Sequence, residues 1–231
     1  MKRNFLIIIS IVLCLNSVSF GQYQLANSAK ITTPGFWQIG VNPYTQIYKG
    51  DNSNNTKFIG SNLYIGHGIS KGIDLQMKLG ILNTSYEVNT TKNESKSNYY
   101  FGIDIEKKLI STSRATKPGW DISITGGLHS WKSHAGLDLA TTFSRRTGEK
   151  LFIFFGADAD INIEEKTVVN KNEQMQGNGK QIKAYAWIPI GVELYPNKKM
   201  SIIFEGNIPV MPDCHYVLGA GINVFFGKKK H

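Results

Sequence analysis

From Pro34 onward, apolar and polar positions alternate along the chain, segment after segment. The alternation is cleanest between Gln181 and Leu194. Ile182, Ala184, Ala186, Ile188, Ile190, Val192 and Leu194 share one parity, while Gln181, Lys183, Tyr185, Trp187, Pro189, Gly191 and Glu193 share the other. A period of two is the signature of a β-strand with unlike faces. The usual strand has about five or six residues. This one is more than twice that, and a tilted membrane crossing needs about nine to eleven. Pro189 interrupts its polar face and predicts a bulge or kink, because proline donates no ladder hydrogen bond.

The pattern recurs about ten times. Strands are predicted near Phe36–Ile47, Phe58–Ile69, Ile73–Ile81, Tyr99–Ile110 and Trp120–Leu128. Five more carry Leu137–Phe143, Ile153–Ile161, the Gln181–Leu194 stretch, Ile202–Ile208 and Leu218–Phe226. Connections after odd-numbered strands include long polar ones, YKGDNSNNTK, the Asn/Thr/Ser/Lys-rich stretch before Tyr99, and about Glu165 to Lys180. Those after even-numbered strands are mostly short turns. HSWKSH is the exception, a short apex on the long-loop side. The predicted fold is all-β, a closed antiparallel up-and-down transmembrane β-barrel of about ten strands.

Which face looks outward is decided by what each face contains. Asp74, Asp104, Glu106, Asp121, Asp138, Asp158, Asp160, Glu193 and Glu205 fall on the polar face, and no acidic residue interrupts the apolar face within a strand. A charge on a lipid-facing wall costs about 2–4 kcal/mol at the midplane. Gly40, Gly60, Gly80, Gly102, Gly127, Gly156, Gly191 and Gly221 share the polar parity, and glycine there relieves crowding inside a narrow tube. The expectation is an acidic lumen with Lys78, Lys108 and Lys183 as its bases. Arg3, Arg114, Arg145 and Arg146 fall in the amino-terminal leader, turns or loops. Either the lumen is a hydrogen-bonded polar core with water, or it accepts cations as a narrow pore. Trp37, Tyr44, Tyr48, Tyr99, Trp120, Trp131, Tyr195, Tyr216 and Phe226 lie toward strand ends and read as interfacial belts.

The amino terminus adds the route. Lys2 and Arg3 precede an apolar run from Phe5 to Leu15, followed by Ser17, Ser19 and Gly21. This is the build of a cleaved export signal over 1–21, too short for a spanning helix. Segment 22–35 then becomes a periplasmic amino-terminal stretch, 36–226 the barrel and 227–231 a basic tail. The stated net charge of +9 falls by two with Lys2 and Arg3, to +7. Alone, that surplus is only a pointer to anionic partners. Cys214 becomes the sole cysteine, so no internal disulfide forms, and it reads as an inert loop thiol.

With these features the chain resembles the small outer-membrane β-barrel proteins of Gram-negative bacteria. IGHGISKGIDLQMKLGI is similar to their strand, tight turn and strand, and GAGINVFF to their terminal strand signal, with Ile222, Val224 and Phe226 in alternation. The chain departs from that signal by continuing with GKKKH. The resemblance implies an outer-membrane location, contact with outer-membrane lipid, and the barrel-assembly machinery as a partner during biogenesis. It implies a non-enzymatic role in envelope structure, surface interaction or small-solute passage.

The alternative is an outer-membrane hydrolase of lipid A deacylase or protease type. Its rim site would lie near His129 and His134, with Ser133 and Asp213, since Ser, His and Asp together can activate a nucleophile. Histidine and serine adjacent in HSWKSH do not match the deacylase arrangement. His129, His134 and His215 lack metal-ligand spacing. No cofactor motif, no metal site and no nucleic-acid module is read from the chain.

Overall fold

The computed structural model describes residues 32–49, 55–88, 92–112, 118–131, 134–169, 175–212 and 214–227. The leader, the tail beyond Gly227, Ser133 and Asp213 lie outside these. Ten strands follow in chain order: β1 Phe36–Lys49, β2 Asn55–Ser70, β3 Ile73–Val88, β4 Lys92–Ser111, β5 Trp120–Trp131, β6 His134–Arg146, β7 Leu151–Val169, β8 Met175–Asn197, β9 Met200–Pro209 and β10 Tyr216–Gly227. Each pairs antiparallel with its sequence neighbour, and β1 pairs with β10, so the sheet closes on itself. Closure leaves no edge strand within the wall, which a hydrocarbon environment requires.

The strands run further than the hydrophobic pattern marks them. β4 begins at Lys92 and pairs with β3 out to Val88↔Lys92, well beyond its last apolar contact near Tyr99. β7 and β8 likewise stay paired as far as Val169↔Met175. Stretches read as polar loops are therefore backbone ladder. Outside an apolar medium neither face needs to be greasy, so the alternation of hydrophobicity stops while the hydrogen bonding continues. Arg145 and Arg146 also fall within β6, the end of SRRTGEK that reads as a turn. At HSWKSH the described ladder runs out to Trp131 opposite His134. Its hairpin ends far below the β3–β4 and β7–β8 hairpins on either side.

Pro189 produces neither bulge nor kink in register. Partner numbers on β7 and β8 keep the same sum on both sides of it, Phe155↔Ile190 and Asp158↔Trp187. The ladder skips the intervening positions, and Gly156 supplies the room: a Cβ there would meet the carbonyl of Thr141 and the Pro189 ring. The irregularities lie elsewhere, at Gly68/Ser70, Lys108/Ile110, Thr167/Val169 and Leu194/Asn197.

At the short-turn end Lys71 and Gly72 join β2 to β3, with Gly72 at φ +85°, a conformation side chains resist. Before β1 the chain turns at Gly35, φ +79°, and doubles back into the mouth of the barrel. Gly35 N donates to Gly68 O at 2.9 Å, and a Cβ on Gly68 would collide with the carbonyls of Thr32 and Thr33. Thr32 is buried there, its N–H donating to Asp74 Oδ2 at 3.1 Å.

Candidate functional site: the barrel interior

Parity assigns each side chain to one of two surfaces. Outside, Val41, Leu63, Leu79, Ile105, Leu128, Leu139, Ile161, Ile190, Phe204 and Ile222 are all exposed, one from each strand. The apolar wall is thus continuous around the circumference. Inside, every strand contributes a residue no more than 2% exposed: Gln46, Tyr64, Asp74, Asp104, Ser123, Ser144, Phe154, Glu193, Ser201 and Asn223. A water-filled pore would leave its lining wet. This lining is packed over most of the circumference, with a partly exposed strip along β5, β6 and β7 at Gly127, Asp138, Ala140 and Asp158.

The packing pairs large residues with glycines on neighbouring strands. Tyr64 and Asn223 lie over Gly40, Tyr44 over Gly60, Phe154 over Gly191, and Asp104 with Asp138 over Gly127. In each case a Cβ on the glycine would overlap the side chain above it. Glycine on the inner face is thus a socket.

One side of the interior is a neutral hydrogen-bond chain. Thr32 Oγ1 donates to Gln38 Oε1 at 2.9 Å, and Gln38 Nε2 to the Tyr64 hydroxyl at 2.7 Å. Tyr64 donates to Asn223 Oδ1, whose Nδ2 donates to Ser201 Oγ at 3.0 Å. The chain crosses from the amino-terminal segment over β1, β2, β10 and β9. Buried polar groups are costly unless paired, and here each residue satisfies the next.

The other side holds the ionisable groups. Lys78 Nζ pairs with Asp104 Oδ2. Asp138 and Asp158 stand nearby, partly exposed, while Asp160 is buried. His129 Nε2 lies 2.7 Å from Asn162 Oδ1 and 3.3 Å from Asp160 Oδ1, and Asn162 Nδ2 donates to Asp160 Oδ2 at 3.2 Å. Toward the short turns, Lys108 Nζ is 3.7 Å from Asp121 Oδ2, and Gln76 Nε2 reaches Glu106 Oε2 at 3.4 Å. Glu193 is buried beside Phe152 and Tyr195, and Glu205 accepts from Asn207 Nδ2 at 2.8 Å. Lys183 Nζ lies 3.7 Å from Glu164 Oε2 near the long-hairpin end.

Glu164, fully buried and accepting from the Tyr185 hydroxyl at 2.7 Å, is absent from the acids picked out in sequence. Its signal is nonetheless there: it continues the parity of Asp158, Asp160 and Asn162 at the edge of a stretch that reads as loop. The aromatic belt needs a larger correction. Trp37, Tyr99, Trp120, Tyr216 and Phe226 face outward, but Tyr44, Trp131 and Tyr195 are buried inside. Tyr48 has no described side chain. Tyr44 shares parity with Gln38 and Asn42, and parity outranks nearness to a strand end.

Those inward aromatics gather at two levels of the tube. Tyr44, Tyr100, Trp131, Tyr185 and Trp187 cluster toward the long hairpins, with Tyr185 and Trp187 stacked at 6.0 Å and Trp187 Nε1 donating to His215 O at 2.9 Å. Toward the short turns Tyr195 stacks on Phe225 and meets Phe152 edge-on. His129 faces the interior next to Tyr100, with ring centroids 6.0 Å apart. His134 Nδ1 meets Trp131 O at 3.3 Å. Among the described residues no three His, Cys, Asp or Glu side chains are arranged to hold a metal ion. Cys214 is buried, its sulfur accepting from Ala186 N at 3.2 Å.

No protein-family model matches the chain, and no curated protein matches it. Solved structures do. An outer membrane channel from Pseudomonas putida F1 is similar over 91% of this chain and 100% of its own, at 10% identity and a TM-score of 0.49. The transport unit of the Escherichia coli autotransporter AIDA-I covers 97% of both chains at 8% identity and a TM-score of 0.45. The amino-terminal β-barrel domain of Pseudomonas aeruginosa OprF covers 84% of this chain and 98% of its own, at 10% identity and a TM-score of 0.36. The matched structures include outer-membrane barrels, and the likeness is one of architecture: a closed antiparallel β-barrel.

Proposed function

We propose that this protein is an integral outer-membrane β-barrel that acts non-enzymatically, through envelope structure or surface interaction and not as an open solute conduit. The observation that carries the reading is the contrast between its two surfaces. The outside is apolar on all ten strands, while the inside is mostly polar and each strand turns at least one residue of 2% exposure or less into it. An apolar exterior of that extent has no place in water, and a closed sheet satisfies its backbone without it. Buried side chains on every strand narrow the interior, which disfavours an open conduit. The groups that sequence raises for chemistry support the same reading. His129 is engaged by Asn162 and Asp160 within the core.

The test is reconstitution of the refolded, heat-modifiable protein in planar bilayers. The reading expects a quiet membrane at 100 mV, with no unitary conductance steps. Reproducible steps abolished by boiling the protein would overturn it.

A further inference from the structure

The two ends of the barrel differ in charge. At the short-turn end, Lys71, Lys107, Arg145, Lys150, Lys198 and Lys199 are all exposed, and Glu149 is the one exposed acid described among them. The acids nearest this end, Asp74, Glu106, Asp121 and Glu193, are turned inside and buried. In sequence, the long-hairpin connections mix acids and bases instead, with Asp51, Glu87, Glu94, Glu165 and Glu173 among their lysines.

Lys107 and Arg145 do not stand on turns. They carry the outward parity of β4 and β6, in line with Ile103 and Ile105 and with Leu139 and Phe143. Two cations therefore emerge from the apolar wall itself. Arg145 lies over the ring of Trp120, 5.6 Å from its centroid, and Trp120 is 42% exposed. Trp120 in turn meets Phe155 edge-on at 6.1 Å. Across the barrel Trp37, 44% exposed, packs on His67 at 4.2 Å. Exposed tryptophan marks the boundary between hydrocarbon and headgroups. Cations with apolar stems beside it reach toward the polar layer.

We propose that the short-turn end is a docking collar for anionic phospholipid headgroups, with Arg145 over Trp120 as its wall-side site and Lys107, opposite Ile124 four residues along β5 from Trp120, as a second wall cation. This deepens the reading above and rests on it, since the wall must stand in a bilayer. The charge is complementary to lipid phosphate, and its placement on the wall favours a lipid over a soluble polyanion. A soluble polymer would be met by turn residues alone, whereas Arg145 and Lys107 sit where acyl chains end. Arg146 is excluded from the site. Its Nε and Nη2 donate to the carbonyls of Gly148 and Glu149, at 2.8 and 2.6 Å, and brace the β6–β7 turn.

The tryptophans supply the test. Trp131 and Trp187 are buried inside, while Trp37 and Trp120 face outward, both at the collar. Trp37→Phe leaves Trp120 as the reporter on the lipid side. The full chain, folded into vesicles, is titrated with dibrominated phosphatidylcholine or dibrominated phosphatidylglycerol, and quenching of tryptophan fluorescence gives the relative binding constant. The collar predicts a preference for phosphatidylglycerol of about fivefold, the ratio corresponding to ~1 kcal/mol for one basic residue near an anionic surface. Lys107→Gln with Arg145→Gln should bring that ratio close to one, as should ~0.5 M salt, which shortens the screening length. Equal quenching by both lipids overturns the collar and leaves the membrane barrel standing. A preference that survives the double substitution overturns the assignment to these residues. Tight polyphosphate binding in detergent, without any lipid preference, identifies a soluble polyanion and also overturns the proposal. Quenching by neither lipid overturns the membrane reading itself.

Discussion

Lys78 is the residue on which the acidic half of the interior turns. It is 9% exposed and pairs with Asp104, with Asp138 and Asp158 close by. Removing one partner of a buried ion pair leaves an uncompensated charge, worth about 3–5 kcal/mol. Lys78→Met is therefore expected to lower unfolding stability by about 3 kcal/mol, read from urea titration in vesicles, with Asp104→Asn added to it recovering part of the loss. Glycines separate just as clearly by face. A Cβ at Gly191 would strike the Phe154 ring and the carbonyl of Phe204, whereas Gly126 has nothing within 4 Å. Gly191→Ala should cost about 1–3 kcal/mol by overpacking. Gly126→Ala should be neutral or slightly stabilising. The acids on the inner face were legible from parity alone. Tyr44, Trp131 and Tyr195 lie toward strand ends, where position points to the belt and parity to the interior, and Glu164 borders a stretch whose polarity reads as loop.

At the scale of the element, all ten strands are visible in the alternation, and so is the short-turn, long-connection asymmetry. Lengths are not. Alternating hydrophobicity records where a strand has one face in hydrocarbon and one in a polar interior, so it fades wherever β3, β4, β7 and β8 leave that belt. A ladder such as Ser85↔Ser95 or Lys166↔Gly179 carries no such contrast. Those upper hairpins add to the wall without closing it. Shortening them, by joining 85 to 95 and 167 to 178 through two-residue turns, should leave heat-modifiable migration on gels unchanged. Loss of that migration would mean the belt depends on them. Pro189 shows the limit of residue rules for elements: a proline in a strand predicts distortion, but a glycine opposite, Gly156, absorbs it without a register shift.

For the molecule as a whole, the governing fact is an inversion of the soluble-protein rule. Large apolar residues face out and carboxylates face in, so the medium outside must be less polar than the core. A charge placed on the outer wall should then cost what a bilayer charges for it. Leu139→Arg, midway along β6, is expected to lose about 2–4 kcal/mol, while the same change in a soluble barrel's surface would cost little. Closure follows in sequence from the membrane reading, because a sheet that spans hydrocarbon can leave no edge unpaired. For the interior the sequence allows both a polar core and a narrow pore, because period two says which side chains enter the tube and nothing about how closely they pack.

The central claim is which face meets lipid, and a nitroxide scan along β3 reads it most directly. Single cysteines at Leu75, Met77, Leu79 and Ile81, in a Cys214→Ser background, carry the spin label in vesicles. Oxygen, which concentrates in hydrocarbon, should relax all four labels more strongly than a water-soluble nickel chelate, most of all at Met77 and Leu79 in mid-strand. Labels that relax faster with the chelate at those positions would place the apolar wall in water and contradict the account.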